Sequence, residues 1–410
     1  YCPGGGCSFG ALCALAGSCV WVPCEVPPPG LFIPVGLART GAPLRMLFAQ
    51  HQPRSEQVAN VLQTYQVSGK PAGRPQTLDT IAPSEISNGH AVLDFTVGVP
   101  DNSMTRALAD DAATIATEIQ RVVVTSPQTI QLSILGLLAE GHILLEDVPG
   151  VGKTLLGKTL SNSIDSEFKR IQFTPDLLPT DITGTTVFDM KSSTFNFVPG
   201  PIFSNIVLAD EINRTGPRTQ AALLEAMAEH QVSIEGDVMK LPSPFMVIAT
   251  QNLSESHGTF PLPDSQKDRF MVSMGMGLPS PEQEVEILSR SQHGMPEASP
   301  VIAGDRIVEM REMVKRIEVD DKIRQYIVKL AGQTRSNSAV RHGLSPRGGA
   351  ALQRASQAWA AMDGRAHVEP QDVSEIAVFV IAHRLMMQPS ATMSAQDVVR
   401  TAIDETQVPS

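Results

Sequence analysis

The sequence predicts an α/β fold, a parallel five-stranded sheet followed by a smaller all-helical domain, and three observations predict it. An apolar run, Ile143 to Leu145, leads into a Pro/Gly-rich turn ending in Gly152-Lys153-Thr154. A second apolar run, Asn205 to Ala209, ends in the adjacent carboxylates Asp210 and Glu211. Three further strand candidates (Arg170–Phe173, Phe245–Ala249 and Phe270–Met274) complete a set with helical stretches between most of its members, the pattern of a parallel sheet.

The first run reads as a strand delivering the chain to a phosphate-binding loop, Pro149-Gly150-Val151-Gly152-Lys153-Thr154-Leu155. Backbone N–H groups in such a loop, and the helix N-terminus after it, favour negative charge. Lys153 has the reach for the β- and γ-phosphates of a nucleotide, and Thr154 offers a hydroxyl to Mg²⁺. The usual spacing places a glycine five residues before Gly152, where this chain has Asp147. A Gly-Lys-Thr in an ordinary turn is the competing explanation of the motif alone.

Strands buried on both faces read as continuous apolar runs, and ligands gather at their carboxyl ends. That places Asp210 to hold Mg²⁺, directly or through water, and Glu211 to polarise an attacking water. Alone, an Asp-Glu pair there is a solvated strand end or a helix cap; beside Lys153 it completes an NTP site. The third strand, Phe245–Ala249, ends in Thr250-Gln251-Asn252, and Asn252 at its tip is a candidate γ-phosphate sensor. Arg269, in Asp268-Arg269-Phe270, suits a finger reaching a neighbouring subunit's γ-phosphate; a surface ion pair is the alternative.

Several phrases extend beyond this generic site: QFTPDLLPTDITG (172–184), PGPIFSNIVLADEINR (199–214), TQAALLEAMAEHQV (219–232), ATQN followed by GTFPLPDSQKDRF (249–270), GLSPRGGAALQRASQAWA (343–360) and AHRL (382–385). On these, the chain resembles the AAA+ ATPases and, within them, the MoxR family, over roughly residues 105 to 390. The resemblance implies a P-loop AAA+ core with ATP and Mg²⁺ as cofactors. It places Lys153 and Thr154 in the Walker A motif, Asp210 and Glu211 in Walker B, Asn252 at sensor 1, Arg269 at the arginine finger and Arg347 at sensor 2. Val124-Thr125-Ser126 stands where such proteins more often carry a Val-Gly-Gln-like turn. The resemblance further implies a homo-oligomeric ring, a hexamer, acting as a chaperone-like factor on protein clients. Its companion would be a separate protein with a von Willebrand factor A domain, because this chain lacks an Asp-x-Ser-x-Ser signature. A nucleic-acid-associated motor and a nucleotide-regulated scaffold are the alternative functions.

Composition agrees. Of 410 residues, 42% are hydrophobic and 18% charged, enough for one α/β domain and a smaller one. The formal net charge of −11 opposes a broad electrostatic grip on nucleic acid, although a local basic pore loop would escape that argument. No uninterrupted apolar run approaches the ~18–20 residues of a spanning helix, so a cytoplasmic protein without a membrane span is expected.

The expected organisation is an extension at 1–103, the ATPase core at 104–277, a helical lid at 280–388 and a polar, frayed tail at 389–410. All five cysteines (Cys2, Cys7, Cys13, Cys19, Cys24) fall in the first 24 residues and match no familiar zinc spacing. The extension reads as disordered, or as an over-long reading frame whose start is Met46 or Met104; a metal or anchor role is the alternative. Within the core, a helix is expected over 218–230. A hairpin pairing Val187-Phe188 with Phe195–Phe197 is expected in the insertion 174–199, and the resemblance points it toward a ring pore; a surface hairpin without function is the alternative. In the lid, Pro281, Pro346 and Pro370 suit first turns, Asp320 and Ser345 suit caps, and Gly364 suits a stop. Arg347 in that first turn is either carried to the phosphates by lid closure or is a solvated residue.

Overall fold

The computed structural model describes residues 44–45, 94–95, 100–234, 236–252 and 259–409. The chain divides into two compact units, Tyr1–Gly98 and Val99–Ser410. In the first, Leu44–Arg45 pairs antiparallel with Asp94–Phe95. The five cysteines and Met46 lie outside the described residues.

The second unit opens with α1 (Asn102–Val122), whose cap is Asp101, its carboxylate accepting from the N–H groups of Ser103 and Met104. The expected boundary at 103/104 therefore falls inside the first turn of a helix. After α2 (Pro127–Leu138) come β1 (Ile143–Glu146), α3 (Lys153–Ser163) and β2 (Phe168–Gln172). The insertion forms an antiparallel hairpin of β3 (Gly184–Asp189) and β4 (Thr194–Pro199), with Phe188 paired to Phe195 as expected. Then follow β5 (Ile206–Asp210) and α4 (Pro217–Glu229). A second hairpin, β6 (Gln231–Ile234) and β7 (Asp237–Lys240), is absent from the sequence expectation. The core closes with β8 (Met246–Gln251) and β9 (Val272–Met274).

The five expected strands form one parallel sheet of order β9-β1-β8-β5-β2. Adjacent residues on a strand face opposite ways, and the core shows it. Leu145, Ile206, Leu208, Met246 and Ile248 join one apolar cluster, whereas Leu144, Val207, Ala209, Val247 and Ala249 join another with Leu223, Leu224 and Met227 of α4. Burial on both faces is why these strands read as unbroken apolar runs. Their carboxyl ends, Glu146, Asp210 and Gln251, point the chain to one edge.

The helical part comprises α5 (Pro281–His293), α6 (Gly304–Val314), α7 (Asp321–Ser336), α8 (Pro346–Met362), α9 (Pro370–Ile381) and α10 (Ala395–Glu405). The three prolines sit in first turns, Asp320 and Ser345 cap their helices, and Gly364 follows the end of α8 with a φ of +76°. Ile307, Leu330, Leu352 and Val380 belong to the same apolar cluster as the sheet's first face.

The frayed tail is a correction. Residues 395–405 are helical because Ser394 caps α10 through the Asp397 N–H, and Val398, Val399 and Ala402 at helical spacing are buried. The polar residues between them masked this stripe.

Candidate nucleotide site

The cleft at the carboxyl edge of the sheet has a volume of about 960 Å³ and is lined by every residue from Pro149 to Leu155. Asp210, Glu211 and Asn252 also line it, and so do Val124, Thr125 and Ser126. The loop turns on Gly150 and Gly152, whose φ values of +89° and +95° suit glycine. Gly152 then opens α3 with no side-chain cap, leaving the helix N-terminus to an anion.

Lys153 is buried, and its Nζ donates to the carbonyls of Asp147 (3.0 Å) and Val148 (3.2 Å), bracing the loop from inside. Asp147, at the position where the spacing calls for glycine, has its own work. Its Oδ2 accepts from the N–H groups of Met276 (2.5 Å) and Gly277 (2.9 Å), and its Oδ1 from the N–H of Val148 (3.0 Å). The departure from the motif thus ties the loop to the chain leaving β9.

The two carboxylates are set by β8. The Thr250 hydroxyl donates to Asp210 Oδ1 at 2.7 Å and accepts from the Glu211 N–H at 2.8 Å. Glu211 takes a left-handed conformation (φ 58°, ψ 49°), uncommon for a residue with a Cβ. That conformation turns the chain sharply after β5, so that successive residues both present carboxylates to the cleft. Asn252 is buried, and its carbonyl accepts from Asn213 Nδ2 at 3.2 Å.

Sequence reasoning missed two cleft residues on β2, Arg170 and Gln172. Arg170 donates through Nε (3.1 Å) and Nη2 (2.6 Å) to Asp210 Oδ2. Gln172 Nε2 donates to Glu211 Oε2 at 2.7 Å. The signal was present: polar residues two apart on a strand share a face, and β2 pairs directly with β5, Gln172 opposite Asp210.

Two predicted residues lie elsewhere. Arg269 does not line the cleft of its own chain, and its Nη1 donates to the Leu224 carbonyl at 2.8 Å. Arg347 is exposed in the first turn of α8 and also lies outside the lining.

The chemistry of the donor set fits Mg²⁺. Thr154 and Asp210 supply hard oxygen donors to one cleft, and no group of three or more His, Cys, Asp or Glu among the described residues could hold a metal unaided. Mg²⁺ is ordinarily held by one or two carboxylates together with phosphate oxygens and water, which is what this cleft leaves room for.

Comparison with known proteins agrees with this geometry. Residues 142–272 match the family model described as the ATPase family associated with various cellular activities, and residues 332–402 match its lid domain. The chain is 46% identical over 296 residues to an uncharacterised Bacillus subtilis protein, YeaC, covering 71% of this chain and 92% of that protein. It is 40% identical over 279 residues to the chaperone MoxR1 of Mycobacterium tuberculosis, covering 66% and 74%. The crystal structure of a proposed ATPase from Cytophaga hutchinsonii aligns with a TM-score of 0.71 at 33% identity, covering 75% of this chain and 98% of that one. The second unit is thus an AAA core with its helical lid, and the chain belongs to the MoxR family of AAA+ ATPases.

Proposed function

We propose that this chain binds ATP with Mg²⁺ and hydrolyses it within a ring of identical subunits, a hexamer, to remodel or mature other proteins. The observation that carries the reading is the convergence of Lys153, Thr154, Asp210, Glu211 and Asn252 on one cleft at the carboxyl edge of a parallel sheet. Lys153 turns from the loop carbonyls to the β- and γ-phosphates, and the loop N–H groups and the start of α3 take the remaining charge. Mg²⁺, held by Thr154 and Asp210, would neutralise charge on the phosphates. Glu211 orients water for attack, and Asn252 contacts the γ-phosphate.

Arg269 acts on the site of the adjacent subunit, consistent with its absence from the cleft of its own chain. Arg347 reaches the phosphates when the lid closes. The companion is a separate von Willebrand factor A-domain protein. No helix among the described residues is long and apolar enough to cross a membrane.

The test is ATP hydrolysis by the full chain over a concentration series, with Glu211→Gln alongside. A rate per subunit that climbs with concentration and vanishes in the variant is expected. Comparable turnover in Glu211→Gln would remove that residue from the mechanism. Stimulation by DNA would favour a nucleic-acid motor instead.

A further inference from the structure

Asp210 does not face the cleft as a free carboxylate. Its Oδ1 is taken by the Thr250 hydroxyl, and its Oδ2 carries the forked Arg170 guanidinium. The Arg170 Nη2 also donates to Gln172 Oε1 at 2.5 Å, and Gln172 reaches on to Glu211. One cation therefore sits on the oxygen a divalent metal needs and is linked through one amide to the second carboxylate. The side chains differ in freedom: Arg170 is 47% exposed and Asp210 13%. The acid is fixed and the base has solvent to move into.

We propose that Arg170 is an internal counter-cation that occupies Asp210 Oδ2 until a divalent metal displaces it, which makes Arg170 a positioning residue that sets the metal affinity of the site. This rests on Asp210 being the metal ligand of the proposed function. Two cations sharing one carboxylate oxygen repel strongly in a partly desolvated cleft, so metal entry requires the guanidinium to leave. Arg170 itself lines the cleft, so once displaced it remains beside the bound anion as a positive charge.

The experiment is titration of Mn²⁺ into the full chain saturated with ADP, with free Mn²⁺ read by electron paramagnetic resonance. Arg170→Met is expected to bind Mn²⁺ about fivefold more tightly, the upper end for a half-exposed ion pair. Arg170→Lys, which keeps the charge and loses the fork, falls between it and the unsubstituted chain. Arg214→Met is the control for a general field effect: Arg214 Nε lies 3.4 Å from Glu211 Oε2, and its loss is expected to change the affinity less than twofold. In an Asp210→Asn background, Arg170→Met should have no effect. Unchanged or weaker binding in Arg170→Met overturns the proposal, as does equal tightening in Arg214→Met or tightening that persists with Asp210→Asn. If Asp210→Asn alone binds Mn²⁺ as tightly as the unsubstituted chain, the metal-ligand assignment has failed as well; if it binds weakly and Arg170→Met is silent with Asp210 intact, only the counter-cation has.

Discussion

Arg384 donates through Nε to Asp268 Oδ1 at 2.8 Å, so the helical domain grips the residue immediately before Arg269. The same guanidinium donates to the carbonyls of Phe270 (2.6 Å) and Met271 (3.2 Å), leaving it almost entirely buried. Burial pulls the Arg384 pKa down to about 10, opposed by the Asp268 carboxylate. A cation so enclosed depends on its anion, because removing one partner of a buried pair strands the other. Asp268→Asn should destabilise the chain by roughly 2–3 kcal/mol, below the full cost of a buried pair because Asp268 keeps some exposure. Urea unfolding measures it, and Arg384→Met combined with Asp268→Asn should cost less than the two changes summed.

Arg269 is the complementary case, a cation that serves no group in its own cleft. Arg269→Ala should bind nucleotide within about twofold of the unsubstituted chain and lose turnover by about 10³-fold, the scale of an arginine finger. Mixing it with Lys153→Ala should recover part of the activity, since a mixed ring rebuilds some intact shared sites. Mixtures as inactive as the separate variants would show that Arg269 does not act across subunits.

The parts of the fold that were legible were those with short-range causes. Three strands buried on both faces, β1, β5 and β8, announced themselves as apolar runs, and three lid helices through Pro and cap residues at their first turns. The Lys153 loop and the Asp210-Glu211 pair were readable because loop and strand end are each continuous in sequence. Arg170, Thr250 and Arg384 were not, since their roles arise from pairings that join residues 40 apart (170 to 210, 210 to 250) or 116 apart (268 to 384). The second hairpin, β6–β7, lacked an apolar alternation strong enough to separate it from a loop, and Val238 on it is exposed.

Asp147 yields a prediction against the motif. Restoring the usual glycine, Asp147→Gly, should weaken the site, because it deletes the acceptor for the N–H groups of Met276 and Gly277 and loosens the backbone. Hydrogen bonds to a charged acceptor contribute about 1.5–3 kcal/mol each when well formed. For this partly exposed pair, a loss of about 2 kcal/mol in stability is expected together with weaker ATP binding. Thermal unfolding with and without ATP checks both, and a glycine variant that bound ATP more tightly would show the carboxylate to be dispensable.

The last prediction concerns acid. His142 is fully enclosed beside β8, its Nδ1 accepting from the Val247 N–H at 3.0 Å and its Nε2 hydrogen-bonded to the Met227 carbonyl at 3.0 Å. Accepting through Nδ1 and donating through Nε2 is the pattern of a neutral ring. Burial drives its pKa from 6.5 down to about 3, with positive charge on Arg311 and His230 acting the same way. His383 is likewise pushed well below its ordinary value by burial and by Arg384. A histidine with a depressed folded pKa takes up its proton first in the unfolded chain. Its stabilising effect is whole above pH 6.5 and declines as pH falls from there toward the folded value. Each such ring therefore subtracts about 1.4 kcal/mol per pH unit across that window. Urea midpoints should be level from pH 7 to 8 and fall steeply from pH 6 to 5. In His142→Gln the chain starts less stable at pH 7, but its slope should be shallower by about one proton; an unchanged slope would show that His142 titrates normally in the fold.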